Sequence, residues 1–244
     1  MWIWPTAFPR KTTNSEMDFR NKKTVGEKKY GKPAPIRDST RRMGVVVGVT
    51  GGVGSGKTAF ATELARLGAR SVDADELAKE LVDNDRDIRK RLRTEFGSST
   101  FGAGGHLKRR ALAKRVFNDG TAYKVLNRIV WPRLLELLHV RLEGMRHDCP
   151  DKLIVLDMAV LFESGAEILV DKTVLITARL DKRIRWLSRA RGWTRDDSIA
   201  VVRNQMDDAE LRRRADFVIE NAGTQSNLKR QAGVFYRRMG FSRS

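Results

Sequence analysis

The chain has 244 residues, 41% of them hydrophobic and 32% charged, which suits one globular domain or one domain with a sizeable insertion. No stretch approaches the ~20 consecutive apolar residues that span a bilayer, and the single cysteine, Cys149, excludes an internal disulfide and a cysteine-rich zinc site. The net charge of +18 fits a phosphate-rich partner, either one or two small molecules or a nucleic acid.

Residues 1–42 form the first unit and carry 11 Lys/Arg against 4 Asp/Glu. With scattered prolines and little apolar pattern, this segment is predicted to be a basic, disordered extension. A mitochondrial-type presequence is one alternative, although acidic residues are unusual in such segments. The other alternative is that Met43, directly before the first strand, is the true start and that the extension is an artefact.

A buried strand is predicted over residues 45–49, and a glycine-rich stretch, 51–58, follows it directly. Its sequence GGVGSGKT fits G-x-x-x-x-G-K-[ST], and a helix predicted over 57–67, closed by Gly68, completes the strand–loop–helix context of a phosphate-binding loop. Glycines let successive backbone N–H groups point at an anion, and the helix adds its positive dipole end. We therefore predict a nucleoside triphosphate bound by residues Gly52, Val53, Gly54, Ser55, Gly56, Lys57, Thr58 and Ala59.

Within this loop, Lys57 is expected to reach the β- and γ-phosphates, and Thr58 to offer its hydroxyl to Mg²⁺. The sequence holds no Asn-Lys-x-Asp guanine signature, so ATP is favoured over GTP.

A second strand is predicted over residues 69–72, and it leads through Asp73-Ala74-Asp75 into an amphipathic helix. From residue 88 to 147 the pattern is helical, interrupted by a glycine-rich loop and by Pro132, which is expected to kink or restart the helix. Because such a block is long for a simple crossover, we interpret residues of about 85–148 as an inserted helical subdomain.

Further strands are predicted over residues 153–156, 172–177 and 217–219, with helices between the last two and a C-terminal helix from about Gln225. Strands that alternate with helices predict an α/β fold, a parallel sheet with helices on both faces.

Three aspartates are predicted at the carboxyl edge of this sheet, where ligands of such folds collect. Asp157 follows four apolar residues in the Walker B manner and could orient Mg²⁺ through water, or it could cap the next helix. Asp75 is a candidate to accept a proton from a hydroxyl that receives a phosphoryl group. Asp73 could serve instead as a helix cap.

The helix over residues 181–191 is strongly basic, which by itself indicates a solvated face. Beside a phosphate loop, however, arginines of such a helix are suited to close over phosphoryl oxygens as part of a lid. Arg189 is the favoured candidate, with Arg185 and Arg191 on the same helix.

The chain resembles the dephospho-CoA kinase family, from residue 45 to the C-terminal helix. The segments that carry the resemblance are 50–58, 72–75, 155–165 and 216–223. The resemblance implies a P-loop kinase of the nucleoside-monophosphate-kinase type, with a core, a helical substrate subdomain and a lid over about 181–214. It implies ATP-dependent phosphorylation of the ribose 3′-hydroxyl of dephospho-CoA, the last step of CoA synthesis. A nucleic-acid-binding ATPase and a kinase for another small acceptor are the alternatives.

The same resemblance assigns roles to individual residues. Asp75 is the implied base, and Arg189, supported by Arg185, the implied lid arginine. Arg109 and Asp157 join Asp75 in the substrate site, and Asn221 and Gly223 lie by the adenine of ATP. We also expect a cytoplasmic monomer with no membrane contact.

The chain departs from the family pattern at three places. Trp131 stands where histidine is usual, and Ala159 stands where proline is usual. The lid reads Ala190-Arg191-Gly192, so one register aligns Arg189 and another aligns Arg191 with the lid arginine.

Overall fold

The computed structural model describes residues 43–102, 104–203 and 205–242, so the extension predicted over residues 1–42 lies outside the described residues. One sheet of five parallel strands forms the centre of the described chain, in the spatial order β2-β3-β1-β4-β5. The strands are β1 (Val45–Thr50), β2 (Arg70–Asp73), β3 (Leu153–Asp157), β4 (Lys172–Thr177) and β5 (Phe217–Glu220).

Helices connect these strands and cover both faces of the sheet, which confirms the α/β prediction. They are α1 (Lys57–Arg66), α2 (Ala74–Asn84), α3 (Arg86–Phe96), α4 (Arg109–Asn118), α5 (Gly120–Asp148), α6 (Leu180–Arg191), α7 (Arg195–Arg203), α8 (Asp208–Arg214) and α9 (Gln225–Arg238). Short 3₁₀ turns occur at Ser98–Thr100 and Ala166–Leu169.

The core lies on both faces of the sheet because side chains of a strand alternate between them. On one face, Ile154 and Leu156 of β3 pack with α2, α3 and α5. On the other, Val155 of the same strand packs with α1 and α9 around Phe60 and Phe235, whose ring centroids are 5.8 Å apart. The sheet is therefore a rigid base for the loops at its edges.

Helix α5 runs through Pro132 without ending, so the expected restart does not occur. Buried residues with helical spacing, among them Val130, Leu134, Leu138 and Leu142, hold the helix against the core on either side of the proline. This packing offsets the missing backbone hydrogen bond. None of the helices in the described part of the chain is both long and apolar enough to cross a membrane.

The strand register brings polar residues together at the carboxyl edge of the sheet. Asp157 at the end of β3 stands opposite Val49 of β1 on one side and opposite Asp73 of β2 on the other. The loop between β1 and α1 begins at this edge. The glycine-rich loop and the carboxylates therefore face one crevice, as parallel topology predicts.

Candidate active site

The glycine-rich loop wraps from the end of β1 to the start of α1. Gly56 is the N-cap residue of α1 and has φ 96°, a left-handed conformation that glycine adopts without steric cost. A Cβ at this position would lie 2.4 Å from Asn221 Nδ2. Asn221 is buried and its Nδ2 donates to Ser55 O at 2.9 Å. The backbone of the loop is therefore fixed by a side chain that is far from it in sequence.

Lys57, the first residue of α1, meets Asp157 across the crevice. Its ammonium donates to Asp157 Oδ1, and both side chains are largely buried. Burial raises the pKa of the Asp157 carboxyl, and the charge of Lys57 opposes this rise. After Asp157 the chain enters a loop, and the next helical turn begins only at Ala166, so Asp157 caps no helix directly.

Asp73 and Asp75 have different local roles at the start of α2. Asp73 is the N-cap, and its Oδ1 accepts from the backbone N–H groups of Asp75 at 2.9 Å and Glu76 at 3.1 Å. The Asp75 side chain is thus free of the capping role. Burial raises the pKa of Asp75 to about 6, and the negative charges of Asp73 and Asp157 act in the same direction against the opposing charge of Lys57.

Lys57, Asp73, Asp75 and Asn221 line one cleft of about 750 Å³, a volume within the usual range of ligand sites, whereas Asp157 is not among its lining residues. The glycine-rich loop with Lys57 and Thr58 forms one wall, Asp73 and Asp75 form a second, and α6 forms a third. Gly223 and Asn221 close the end beyond β5. All the predicted nucleotide-binding residues from 52 to 59 line this cleft.

Helix α6 presents one of its arginine-bearing faces to the glycine-rich loop. Arg183 and Leu187 contact that loop, and the i, i+4 spacing continues to Arg191, which lines the cleft. The Arg191 guanidinium lies over the ring of Trp193, 5.0 Å from its centroid. Arg189 and Arg185 are exposed and are not among the cleft residues, and Arg185 pairs with Asp181 at 3.1 Å. The structure therefore brings Arg191 to the cleft and leaves Arg189 outside it.

Arg109 lies at the start of α4, outside the cleft lining, and its guanidinium pairs with Asp83 of α2. Trp131, the departure in the helical block, packs edge to face on Tyr123 with ring centroids 6.5 Å apart. Trp131 is partly buried against the core of that block, so packing is its visible role in this arrangement.

Several cleft residues were not predicted from the sequence. Lys79 follows Asp75 by four residues, and this spacing, which puts both on one helix face, was the available signal. Trp186 of α6, Trp193 just beyond its end, and Thr224 beside Gly223 also line the cleft. No local pattern identifies these three residues, because their position depends on how α6 and the segments after it pack.

Comparison with known proteins agrees with this geometry. The model of the dephospho-CoA kinase family matches residues 45–227. A dephospho-CoA kinase of Moorella thermoacetica is 35% identical over 178 residues, which are 73% of this chain and 84% of that protein. One of Thermus thermophilus is 37% identical over 186 residues, 76% of this chain and 87% of that protein.

A solved structure of a Thermus thermophilus protein superposes with a TM-score of 0.67 at 34% identity, covering 81% of this chain and 98% of that one. The family resemblance predicted from the sequence is thus confirmed. A family match over most of the chain, relatives well above 30% identity and a parallel sheet with its phosphate loop show that this chain belongs to the dephospho-CoA kinase family of P-loop kinases.

Proposed function

We propose that the protein transfers the γ-phosphoryl group of ATP to the ribose 3′-hydroxyl of dephospho-CoA, which gives CoA and ADP and completes CoA biosynthesis. The observation that carries this proposal is the cleft that holds the phosphate loop, Lys57 and Asp75 together in a chain of this family. The loop supplies the nucleotide site, and Asp75 supplies a carboxylate near the point where an acceptor hydroxyl would meet the γ-phosphate.

In this proposal catalysis is mostly positioning and charge stabilisation. The backbone N–H groups of the phosphate loop and the Lys57 ammonium hold the phosphates of ATP. As the acceptor oxygen bonds to the γ-phosphorus, the bond to the bridging oxygen of ADP breaks, and the hydroxyl proton passes to the Asp75 carboxylate. Asn221 and Gly223, which line the cleft, are proposed to contact the adenine, and the rings of Trp186 and Trp193 line the same cleft.

We also propose Mg²⁺ as the metal of the reaction. Hydroxyl and carboxylate oxygens are the ligands that Mg²⁺ prefers, together with substrate phosphates and water. The Thr58 side chain is exposed in the cleft, and the Asp157 carboxylate accepts from the ammonium of the neighbouring residue, Lys57. This donor set fits the ion, which Thr58 would hold directly and Asp157 would hold through water. When bound, Mg²⁺ neutralises charge on the phosphates.

The lid of the proposed enzyme comprises residues of about 181–214, and α3, α4 and α5 form the acceptor subdomain over about 85–148. Arg109 at the start of α4 is proposed to contact the acceptor, in exchange for its present partner Asp83. We propose that the enzyme acts as a monomer in the cytoplasm and that nucleic acid is not its partner.

The proposed lid arginine is Arg191, because Arg191 lies on the face of α6 that lines the cleft. Replacing Arg191 by methionine should lower kcat by about 10²-fold or more, as expected when a charged group on a transferring phosphoryl is lost. The matched variant Arg189→Met should stay near the wild-type kcat in the same coupled ADP-release assay. The reverse order of the two variants would assign the lid role to Arg189.

The dependence of kcat/KM on pH should show an acid limb near pH 6, the pKa of Asp75. Only the deprotonated carboxylate accepts a proton, so activity is present above this pKa and is lost as the pH falls through it. Asp73→Asn keeps an N-cap but removes a negative charge that raises the pKa of Asp75. The acid limb of this variant should therefore move to lower pH. A limb that does not move would show that it does not report the titration of Asp75.

The function itself is tested by ADP release from purified protein with ATP, Mg²⁺ and dephospho-CoA. Adenosine, AMP and gluconate serve as comparison acceptors, and mass spectrometry identifies the product. ADP release that depends on dephospho-CoA, with CoA appearing, is the expected result. ADP release with another acceptor instead would leave the kinase assignment in place but contradict dephospho-CoA as the substrate.

A further inference from the structure

Two polar side chains, those of Arg183 and Gln205, bind the backbone in the middle of the phosphate loop. Arg183 of α6 is 3% exposed, and its Nε donates to Val53 O at 2.8 Å. Gln205, between α7 and α8, accepts through Oε1 from Val53 N at 2.8 Å. The same Oε1 accepts from Arg183 Nη2 at 2.8 Å. Both backbone polar groups of Val53 are thus satisfied by two side chains that also bind each other.

The fit of this pair against the loop is close. A Cβ at Gly52 would lie 2.3 Å from Arg183 Nη2 and 2.9 Å from Gln205 Oε1, so the pair occupies the space that a side chain at residue 52 would need. Position 52 therefore requires glycine for a reason separate from backbone conformation. The guanidinium lies directly against the backbone that is proposed to receive the phosphates.

The pair is itself anchored to the rest of the protein. Arg183 Nη1 lies 3.7 Å from Asp208 Oδ1 of α8. Met206, next to Gln205, packs against a buried cluster that includes Phe162 in the loop after β3. Residues 205 and 206 therefore connect the phosphate loop on one side with the loop that follows β3 on the other. Their place is set by the core as well as by the lid helices.

We propose that Arg183 and Gln205 are positioning residues that hold the phosphate loop in the shape that receives ATP. Neither residue lines the cleft, so they act through the backbone of Val53 and not by contact with the nucleotide. This inference rests on the ATP site proposed above. It predicts a selective effect on ATP, because the recorded polar contacts of the pair go to the phosphate loop and to α8 and not to α2 or to the proposed acceptor subdomain.

The test uses Gln205→Leu, which keeps the size of the side chain but removes the oxygen that two donors share. Titration calorimetry on the full chain should show the Kd for ATP rising about tenfold or more, since a buried donor without its acceptor is costly. The KM for ATP should rise in parallel, and the KM for dephospho-CoA should stay unchanged. Gln205→Glu should recover most of the ATP affinity, because a carboxylate accepts from both donors.

Gln231→Leu on α9 is the matched control, since Gln231 is also a glutamine whose side chain donates hydrogen bonds, here to Glu220 O and Asn227 Oδ1 and not to the phosphate loop. It should leave the Kd for ATP unchanged. Arg183→Lys is a second single variant, which keeps the charge but not the forked contact to Val53 and Gln205. It should also weaken ATP binding.

Thermal melting separates positioning from a structural role. Wild-type ATP affinity in a folded Gln205→Leu or Arg183→Lys variant would overturn the inference. Equal rises in both KM values, or equal losses in Gln205→Leu and Gln205→Glu, would also overturn it. A wild-type chain that does not bind ATP would instead reject the proposed function.

Discussion

Replacing Asp75 by asparagine should lower kcat by a factor of about 10²–10⁴, the usual contribution of a positioned general base. Asparagine keeps the size and the hydrogen-bonding oxygen of the side chain but cannot take up the hydroxyl proton. ATP should still bind, because the phosphate loop and Lys57 are untouched. The loss should therefore appear in kcat for dephospho-CoA phosphorylation, measured by coupled ADP release, and not in the Kd for ATP measured by calorimetry.

Asp151→Asn is the matched control for this variant. Asp151 is exposed in the turn between α5 and β3, at the edge of the sheet opposite to the cleft, so its replacement should leave kcat unchanged. Near-normal turnover in Asp75→Asn would remove Asp75 from the mechanism. Because Asp73 and not Asp75 caps α2, the fold should tolerate the substitution, which a melting curve checks.

The order of strands and helices was predictable because its signals are local. A run of apolar residues, a glycine-rich motif and the helical periodicity after Lys57 each lie within one segment of sequence. The convergence of Asp75 and Asp157 on the phosphate loop also followed, since parallel strands bring their carboxyl ends to one edge. The ion pair between Lys57 and Asp157 needed the structure, because the two residues lie in segments far apart in sequence.

The orientation of α6 could not be predicted, because nothing within the helix says which of its basic faces meets the phosphate loop. The sequence pattern favoured Arg189 and indicated a solvated basic face. In the structure Arg183 of this run is buried against Val53, while Arg191 lines the cleft. An arginine with backbone partners in another segment has the same local sequence signature as a solvated one. Gln205, which completes that contact, carries no signature at all.

The continuous helix α5 shows the same limit for a local rule. Proline removes a backbone hydrogen bond wherever it occurs, so Pro132 alone favours an interruption. The outcome depends on the buried residues on both sides of it, and their burial depends on the sheet and on α2 and α3. Tertiary packing therefore keeps α5 continuous through Pro132.

Replacing Lys57 by methionine should weaken ATP binding and lower kcat by about 10²–10³, because an ammonium that stabilises charge on the β- and γ-phosphates is lost. Methionine keeps most of the apolar volume of the side chain. The substitution also leaves Asp157 buried without its partner, and burial already raises the pKa of this carboxyl. Loss of the phosphate contact and an unpaired Asp157 would both reduce activity. Calorimetry with ATP and the coupled assay measure the sum of the two, so a second substitution is needed to separate them.

The double variant Lys57→Met/Asp157→Asn, titrated with ATP in the absence of Mg²⁺ so that the proposed metal contact of Asp157 does not contribute, distinguishes the two causes. If the unpaired Asp157 charge were responsible, removing it would restore ATP affinity; if Lys57 binds phosphate, the double variant should remain as weak as the single one. Lys172→Met is the control, since Lys172 is an exposed lysine at the start of β4, 3.4 Å from Asp216 and away from the cleft. Wild-type ATP affinity in Lys57→Met would contradict the phosphate-loop assignment, because that assignment depends on this ammonium more than on any other side chain.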